Sequence, residues 1–260
     1  MNPEVLRFDD WTSPVPPVQR EVLSRLPEGG GEQPPVLFVP GLGHGAWAFE
    51  AHWLGHTAER GFPAYALTPR ERGDLRAHVH DVIQVAAGLP RQTVLVGHGT
   101  GALVVAYALG RYPARAAVLS APVLDGWAAF AAALLANPFG TLPALVGGRL
   151  RVSRRQLFSA ALPAAEADAH RARVVARPRR ELITHGRPPK PVGDPPTLVI
   201  GTPDDRVVPR TSLDRTAVRY GGAPLLFPGM GHDLMLDAGW AEPIEAILDW
   251  LTKELSGTAA

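Results

Sequence analysis

Apolar positions along this chain of 260 residues follow two alternating rhythms. Val36-Leu37-Phe38-Val39, Thr93 to Val96 and Ala116 to Leu119 are short, continuous apolar runs, the pattern of strands buried on both faces of a parallel sheet. Pro63 to Leu67, Thr197 to Ile200 and Pro224 to Phe227 read as further strands. Val18 to Leu26 alternates loosely, as an early edge strand does, before the turn Pro27-Glu28-Gly29-Gly30-Gly31. Between the strands the period changes. Leu75, Val79, Val82, Ile83 and Ala86 share one helix face, and Ala102 to Leu109 is apolar all round, as in a helix buried against a sheet. Trp47 to Arg60, Thr211 to Val218 and Pro243 to Leu255 complete the predicted helices. Strands alternating with helices predict an α/β fold of right-handed βαβ units. Its sheet is mainly parallel, of about eight strands, with helices on both faces.

The rhythm stops at Pro122 and resumes after Pro196. The intervening stretch holds alanine-rich helical pieces (Trp127 to Ala136, Arg154 to Ala161, Ala164 to Val175) and a proline-rich exit, Arg187-Pro188-Pro189-Lys190-Pro191. Residues 1–121 and 197–260 are therefore expected to form one core domain, and residues 122–196 a helical lid over the carboxyl edge of the sheet.

Bulk composition narrows the functions. Apolar residues are 46% and charged residues 20% of the chain, and the formal net charge is +1. That is ordinary for a globular protein and argues against nucleic acid as the main partner. With no cysteine, disulfides, thiolate metal sites and a cysteine nucleophile are excluded. The opening Met1-Asn2-Pro3-Glu4 lacks the basic and apolar regions of an export signal, and no apolar run reaches the length of a spanning helix. A cytoplasmic monomer or homodimer is expected, acting on a small molecule without metal, cofactor or membrane.

Three loops follow strands and should meet at the carboxyl edge of the sheet, where open α/β sheets place their sites. The first is Gly97-His98-Gly99-Thr100-Gly101, in the strand–turn–helix context of a nucleophile elbow, G-x-Nu-x-G. Such a turn is strained and crowded, which favours glycine. Its central residue normally carries the nucleophile, and here that residue is Gly99. The second loop is Gly201 to Pro209, with Asp204 and Asp205. The third is Pro228 to Asp237, with His232.

Elbow, acid and histidine in that order resemble an α/β-hydrolase of the small, lidded esterase and lyase kind over nearly the whole chain. Gly43-His44-Gly45-Ala46-Trp47 resembles the H-G-A-W oxyanion-loop stretch of plant-type esterases and hydroxynitrile lyases. The acid loop places the triad acid at Asp205, three residues before Val208-Pro209, and Gly231 to Leu236 places the base at His232. The resemblance further implies oxyanion donors at the backbone N–H groups of Leu42 and Thr100, with His44 and His98 beside the site. The chain departs from the family pattern at Pro40, where a histidine is common, and at Gly99.

Alternatives stay open at several positions. Asp205 could simply cap the helix that follows Pro209, and Asp125 is the other acid position. Asp204 reads as a solvated neighbour. His44 could be a turn residue, and His98 could pack beneath the loop. Thr100 and Ser120 are the nearest hydroxyls to the missing one, and neither has an activating context. Losing the serine of a Ser-His-Asp enzyme costs on the order of 10⁶ in turnover, whereas a positioned His–Asp pair alone still supplies about 10² to 10⁴. The surviving groups predict general acid–base chemistry on a carbonyl or ester substrate, a secondary metabolite among those considered, with elimination or lyase chemistry first. The alternatives are a carboxylic-ester hydrolase, disabled by Ser-to-Gly or using another nucleophile, and a ligand-binding pseudoenzyme.

Overall fold

The computed structural model describes residues 15, 18–178 and 187–256, and the Met1-Asn2-Pro3-Glu4 opening lies outside them. A seven-stranded sheet runs through the described residues in the order β1-β3-β2-β4-β5-β8-β9. The strands are β1 (Val22–Arg25), β2 (Val36–Val39), β3 (Ala64–Leu67), β4 (Val94–His98), β5 (Ala116–Ser120), β8 (Thr197–Gly201) and β9 (Leu225–Leu226). Only the β1–β3 pair is antiparallel; the other pairs are parallel. These seven strands are the seven segments read as strands in the sequence, in a sheet expected to have about eight.

Alternate residues of the central strands feed two separate cores, because side chains in a strand point to opposite faces. Val36, Phe38, Val94, Val96, Ala116 and Val118 pack with helices α1 (Trp47–Glu50), α2 (Trp53–Glu59) and α10 (Ala241–Ser256). Leu37, Val39, Leu95, Ala117 and Leu119 pack with α3 (Leu75–Gly88), α4 (Thr100–Ala108) and α9 (Arg210–Arg219). Four of the five residues read from spacing as one face of α3, Val79, Val82, Ile83 and Ala86, are buried, and α10 buries Ile244, Ile247, Leu248 and Leu251. Asp74 starts α3 by accepting the Ala77 N–H at 2.8 Å, a capping bond worth about 1 kcal/mol.

Two predicted helices change shape for tertiary reasons. The expected Trp47–Arg60 helix is broken into α1 and α2 at Ala51 and His52. His52 stacks on Trp240 at 4.4 Å, and the Trp53 indole N–H donates to the Trp240 carbonyl at 3.0 Å. The break thus lets Trp53 enter the core completely. The expected Arg154–Ala161 helix stops at Leu157, because Leu157 O accepts the Asp233 N–H and the Ser159 N–H donates to Asp237.

Residues 122–196 contribute no described strand to the main sheet. They form α5 (Gly126–Ala136), α6 (Pro138–Thr141), a 3₁₀ turn at Leu142–Val146, α7 (Arg154–Leu157) and α8 (Ala164–Arg173). A separate ribbon pairs β6 (Arg149–Leu150) with β7 (Arg177–Pro178).

The passage from β4 into α4 is the tightest part of the fold. A Cβ on Gly97 would lie 2.6 Å from Ala102 Cα, and one on Gly101 would lie 2.3 Å from Val39 O. Both obstacles are backbone and cannot move aside. Gly97→Ala is therefore expected to destabilise the protein by about 1–3 kcal/mol, read as a lower midpoint in urea unfolding.

Candidate active site

The loops after β2, β4, β8 and β9 converge at the carboxyl edge of the sheet. Gly99 caps α4 with φ 55° and ψ −120°, a backbone state that strains any residue with a Cβ. The direction of the absent side chain is defined by its surroundings. A Cβ on Gly99 would sit 3.3 Å from His232 Nε2 and 3.6 Å from Gly41 Cα. The elbow therefore aims its central residue at the imidazole.

His232 is 6% exposed, and its Nδ1–H donates to Asp205 Oδ2 at 2.8 Å. Asp205 Oδ1 accepts the N–H groups of Val207 and Val208 at 2.7 and 2.9 Å. Asp205 does not cap the helix after Pro209, whose N-cap is Pro209 without a side-chain bond; its second oxygen ties down the turn of its own loop instead. Burial by itself would lower the His232 pKa, but the charge and hydrogen bond of Asp205, with the charge of Asp233, leave it raised above 6.5. Asp125 is elsewhere: it caps α5 through the Ala128 N–H at 3.0 Å and lies 4.0 Å from Arg215. Asp204 is exposed and accepts the Gly229 N–H at 2.7 Å, tying the acid loop to the histidine loop.

A second buried pair, which the sequence did not reveal, lies behind the first. His44 Nε2 meets Asp233 Oδ2 at 3.0 Å, and His44 Nδ1 meets the Leu42 carbonyl at 3.2 Å. His44 thereby fastens the turn that carries Leu42. His98 Nε2 donates to the His232 carbonyl at 3.1 Å, while its Nδ1 has no protein partner. Burial first, then the neighbouring His232 charge, pushes the His98 pKa down to about 4. Burial would raise Asp233, but His44, through charge and hydrogen bond, with His98 and His232, holds it at about 2. The one sequence signal for this pair was an aspartate directly after the predicted base, and its partner could come only from the fold.

His98, His232 and Asp233 each bring one donor atom within 4.8 Å of the others, the sole such group among the described residues.

Residues 122–196 fasten the site from above. The Val175 N–H donates to Gly43 O at 2.9 Å, and the Asp233 N–H to Leu157 O at 2.9 Å. Beneath them lies a cavity of about 300 Å³ whose walls include Leu42, His44, His98, Gly99, Thr100 and His232, with apolar cover from Val123, Ala133 and Val152. Trp47 and Trp127 are not among its walls. A second cavity of about 500 Å³ shares Leu42, His44, Thr100 and Arg177 and continues past the Gly41–His44 turn towards His78 and the buried Arg70–Asp81 pair. Of the candidate hydroxyls, Thr100 borders both cavities, whereas Ser120 is fully buried and borders neither.

Set on this sheet, the order of elbow, acid and histidine defines the α/β-hydrolase class. Residues 36–249 match the alpha/beta hydrolase family, and the chain belongs to it. Among solved structures it resembles a soluble variant of monoglyceride lipase from Saccharomyces cerevisiae, at 14% identity and TM-score 0.65, covering 92% of this chain and 96% of that one. It also resembles a bromoperoxidase from Bacillus anthracis, at 17% identity and TM-score 0.65, covering 90% and 96%. A third is a thermophilic esterase from Thermogutta terrifontis, at 17% identity and TM-score 0.62, covering 91% and 99%. Likeness at these identities establishes the fold alone. No functionally curated protein matches the sequence.

The buried pair has a measurable acid signature. With a folded pKa of about 2 against 3.8, Asp233 contributes stability that is present above pH 3.8 and lost as pH falls towards 2, about 2 kcal/mol in all. Asp233→Asn should be less stable than wild type at pH 6. The gap should narrow below about pH 3 in urea unfolding, as the wild-type carboxylate takes up its proton.

Proposed function

We propose that this protein is a carboxylic-ester hydrolase in which the His232–Asp205 dyad activates water directly, without a covalent intermediate. The observation that carries this reading is the line from Gly99 to His232. The direction in which a nucleophilic side chain would project, 3.3 Å from Nε2, opens on a cavity bordered by the same imidazole. A water molecule hydrogen-bonded to His232 Nε2 there is placed as the hydroxyl of the usual serine would be. In this reaction Nε2 takes a proton from water as the oxygen attacks the ester carbonyl. The backbone N–H groups of Leu42 and Thr100 receive the resulting oxyanion. Thr100 is the first residue of α4, so its N–H has no partner within the helix. The tetrahedral species then collapses as His232 returns the proton to the departing alkoxide, and Asp205 holds the imidazolium throughout.

Elimination was the first expectation from the sequence. Hydrolysis replaces it here because the named structural neighbours are an esterase, a lipase and a bromoperoxidase, and because water needs no further group to act. The open cavity also supports catalysis over a binding-only role, since neither Trp47 nor Trp127 fills it. Residues 122–196 serve as the lid in this reading, and the apolar walls they supply favour an ester with a small apolar acyl group.

The kinetic test is direct. Wild type should turn over p-nitrophenyl acetate or butyrate with no burst, because no acyl-enzyme accumulates, and His232→Ala should lower kcat by about 10² to 10⁴. Gly99→Ser restores a hydroxyl opposite His232. It should produce a burst and faster turnover of activated esters, at about 1–3 kcal/mol of stability for the strained backbone. A wild-type burst, or conversion of a β-acyloxy ketone to an enone without ester cleavage, would refute direct hydrolysis.

The base must be neutral, so activity should rise with pH through a limb above 6.5, the His232 pKa being raised. Asp205→Asn removes the charge that raises it. The limb should then move to lower pH while kcat falls, in a pH–rate profile.

A further inference from the structure

The largest group of exposed apolar side chains lies on the 122–196 segment. Leu135, Phe139 and Val146 are 87%, 89% and 88% exposed, and Trp127, Leu142 and Leu145 are exposed beside them in the chain. This is a built surface. Asn137 caps α6 through the Gly140 N–H at 3.1 Å and donates to Arg151 O at 2.9 Å, while the Arg151 N–H donates to Gly140 O at 3.0 Å. Thr141 and Ala144 are buried on the inner side, and Thr141 Oγ1 donates to Ala133 O at 3.1 Å. Between residues 137 and 146 the buried side chains are the small Thr141 and Ala144, while Phe139, Leu142, Leu145 and Val146 are exposed, the reverse of what packing alone selects.

Charge makes this surface directional. Residues 126–148 contain no charged side chain, and the next residues bring four exposed arginines: Arg149, Arg151, Arg154 and Arg155. No aspartate or glutamate occurs from residue 126 to residue 165. Among the described residues, these arginines form one ion pair, Arg154 with Asp168 at 3.7 Å. The hydrogen bonds between Arg151 and α6 place the start of this arginine row against the stretch that displays Phe139.

We propose that this surface docks on an anionic lipid interface, the apolar side chains entering the acyl boundary and the arginines meeting the headgroups. Protruding side chains with a basic border are what such an interface selects. A second copy of the chain fits less well, because residues 126–165 offer no carboxylate to pair with the arginines that such a contact would bring to its border. The expectation of no membrane partner rested on the absence of a spanning segment. No described helix is long and apolar enough to cross a membrane, and docking at the surface requires none. The inference does not depend on the proposed chemistry. It does bear on that chemistry, because Ala129 and Ala133 of α5, with Leu150 and Arg151, also border the cavity at His232.

The test is co-sedimentation of the full chain with phosphatidylcholine vesicles and with vesicles of three parts phosphatidylcholine to one part phosphatidylglycerol. Wild type should bind the anionic vesicles at least about tenfold better than the neutral ones, with binding falling as salt is raised. A Phe139→Asp, Val146→Asp variant and an Arg149→Ser, Arg155→Ser variant should each lose that binding. All four side chains are exposed, so both variants should keep the wild-type circular dichroism spectrum. Failure to bind either vesicle, equal binding to both, or binding unchanged in the folded variants overturns the proposal. So does a self-association that Phe139→Asp abolishes in a protein that ignores vesicles. Ester hydrolysis can succeed or fail independently of every one of these outcomes.

Discussion

The close crossing of β4 and α4 is the constraint on which this site depends. Two backbones meet where a Cβ on Gly97 or Gly101 would fall within 2.6 Å of main-chain atoms. That contact throws Gly99 into the left-handed half of conformational space. It also fixes where α4 begins, and so where the Thr100 N–H points along the helix axis. Small residues flank the turn because of sterics, and the position between them is defined as sharply as if it carried a reactive group.

Around that turn the protein has kept its charged groups in pairs. His232 faces Asp205, and His44 faces Asp233, with the neutral His98 lying between the two histidines. Burying an ionised group without a partner is expensive; here each carboxylate has one imidazole and further backbone or imidazole contacts. The two pairs pull in one direction. Both carboxylates raise the basicity of His232, and the imidazoles around Asp233 keep it ionised. Three histidines can thus occupy one buried site without all becoming charged.

The segment between β5 and β8 contributes to the site as much as it covers it. Its backbone supplies Leu157 O to the loop of His232 and takes Gly43 O from the turn that carries Leu42. Ser159 adds two bonds to Asp237, its N–H at 2.9 Å and its hydroxyl at 2.7 Å. Movement of this segment would therefore disturb both the turn that carries Leu42 and the loop that carries His232.

Local chemistry made the sheet and the elbow legible in the sequence, and the family resemblance pointed to Asp205 and His232. Strands buried on both faces read as unbroken apolar runs. Glycine is required at Gly97 and Gly101 whatever occupies the middle of the turn, and Asp205 and His232 sit in loops whose order along the chain survives any change of surface. The tertiary structure decided what depends on distant partners. Trp240 broke the first long helix by drawing in Trp53, and the Asp233 N–H ended α7 by taking Leu157 O. His44 found Asp233 across 189 residues of chain, a pairing with no periodicity or spacing to announce it. The direction of Gly99 also came only from the folded backbone, because a residue without a side chain carries no sequence record of where one would point.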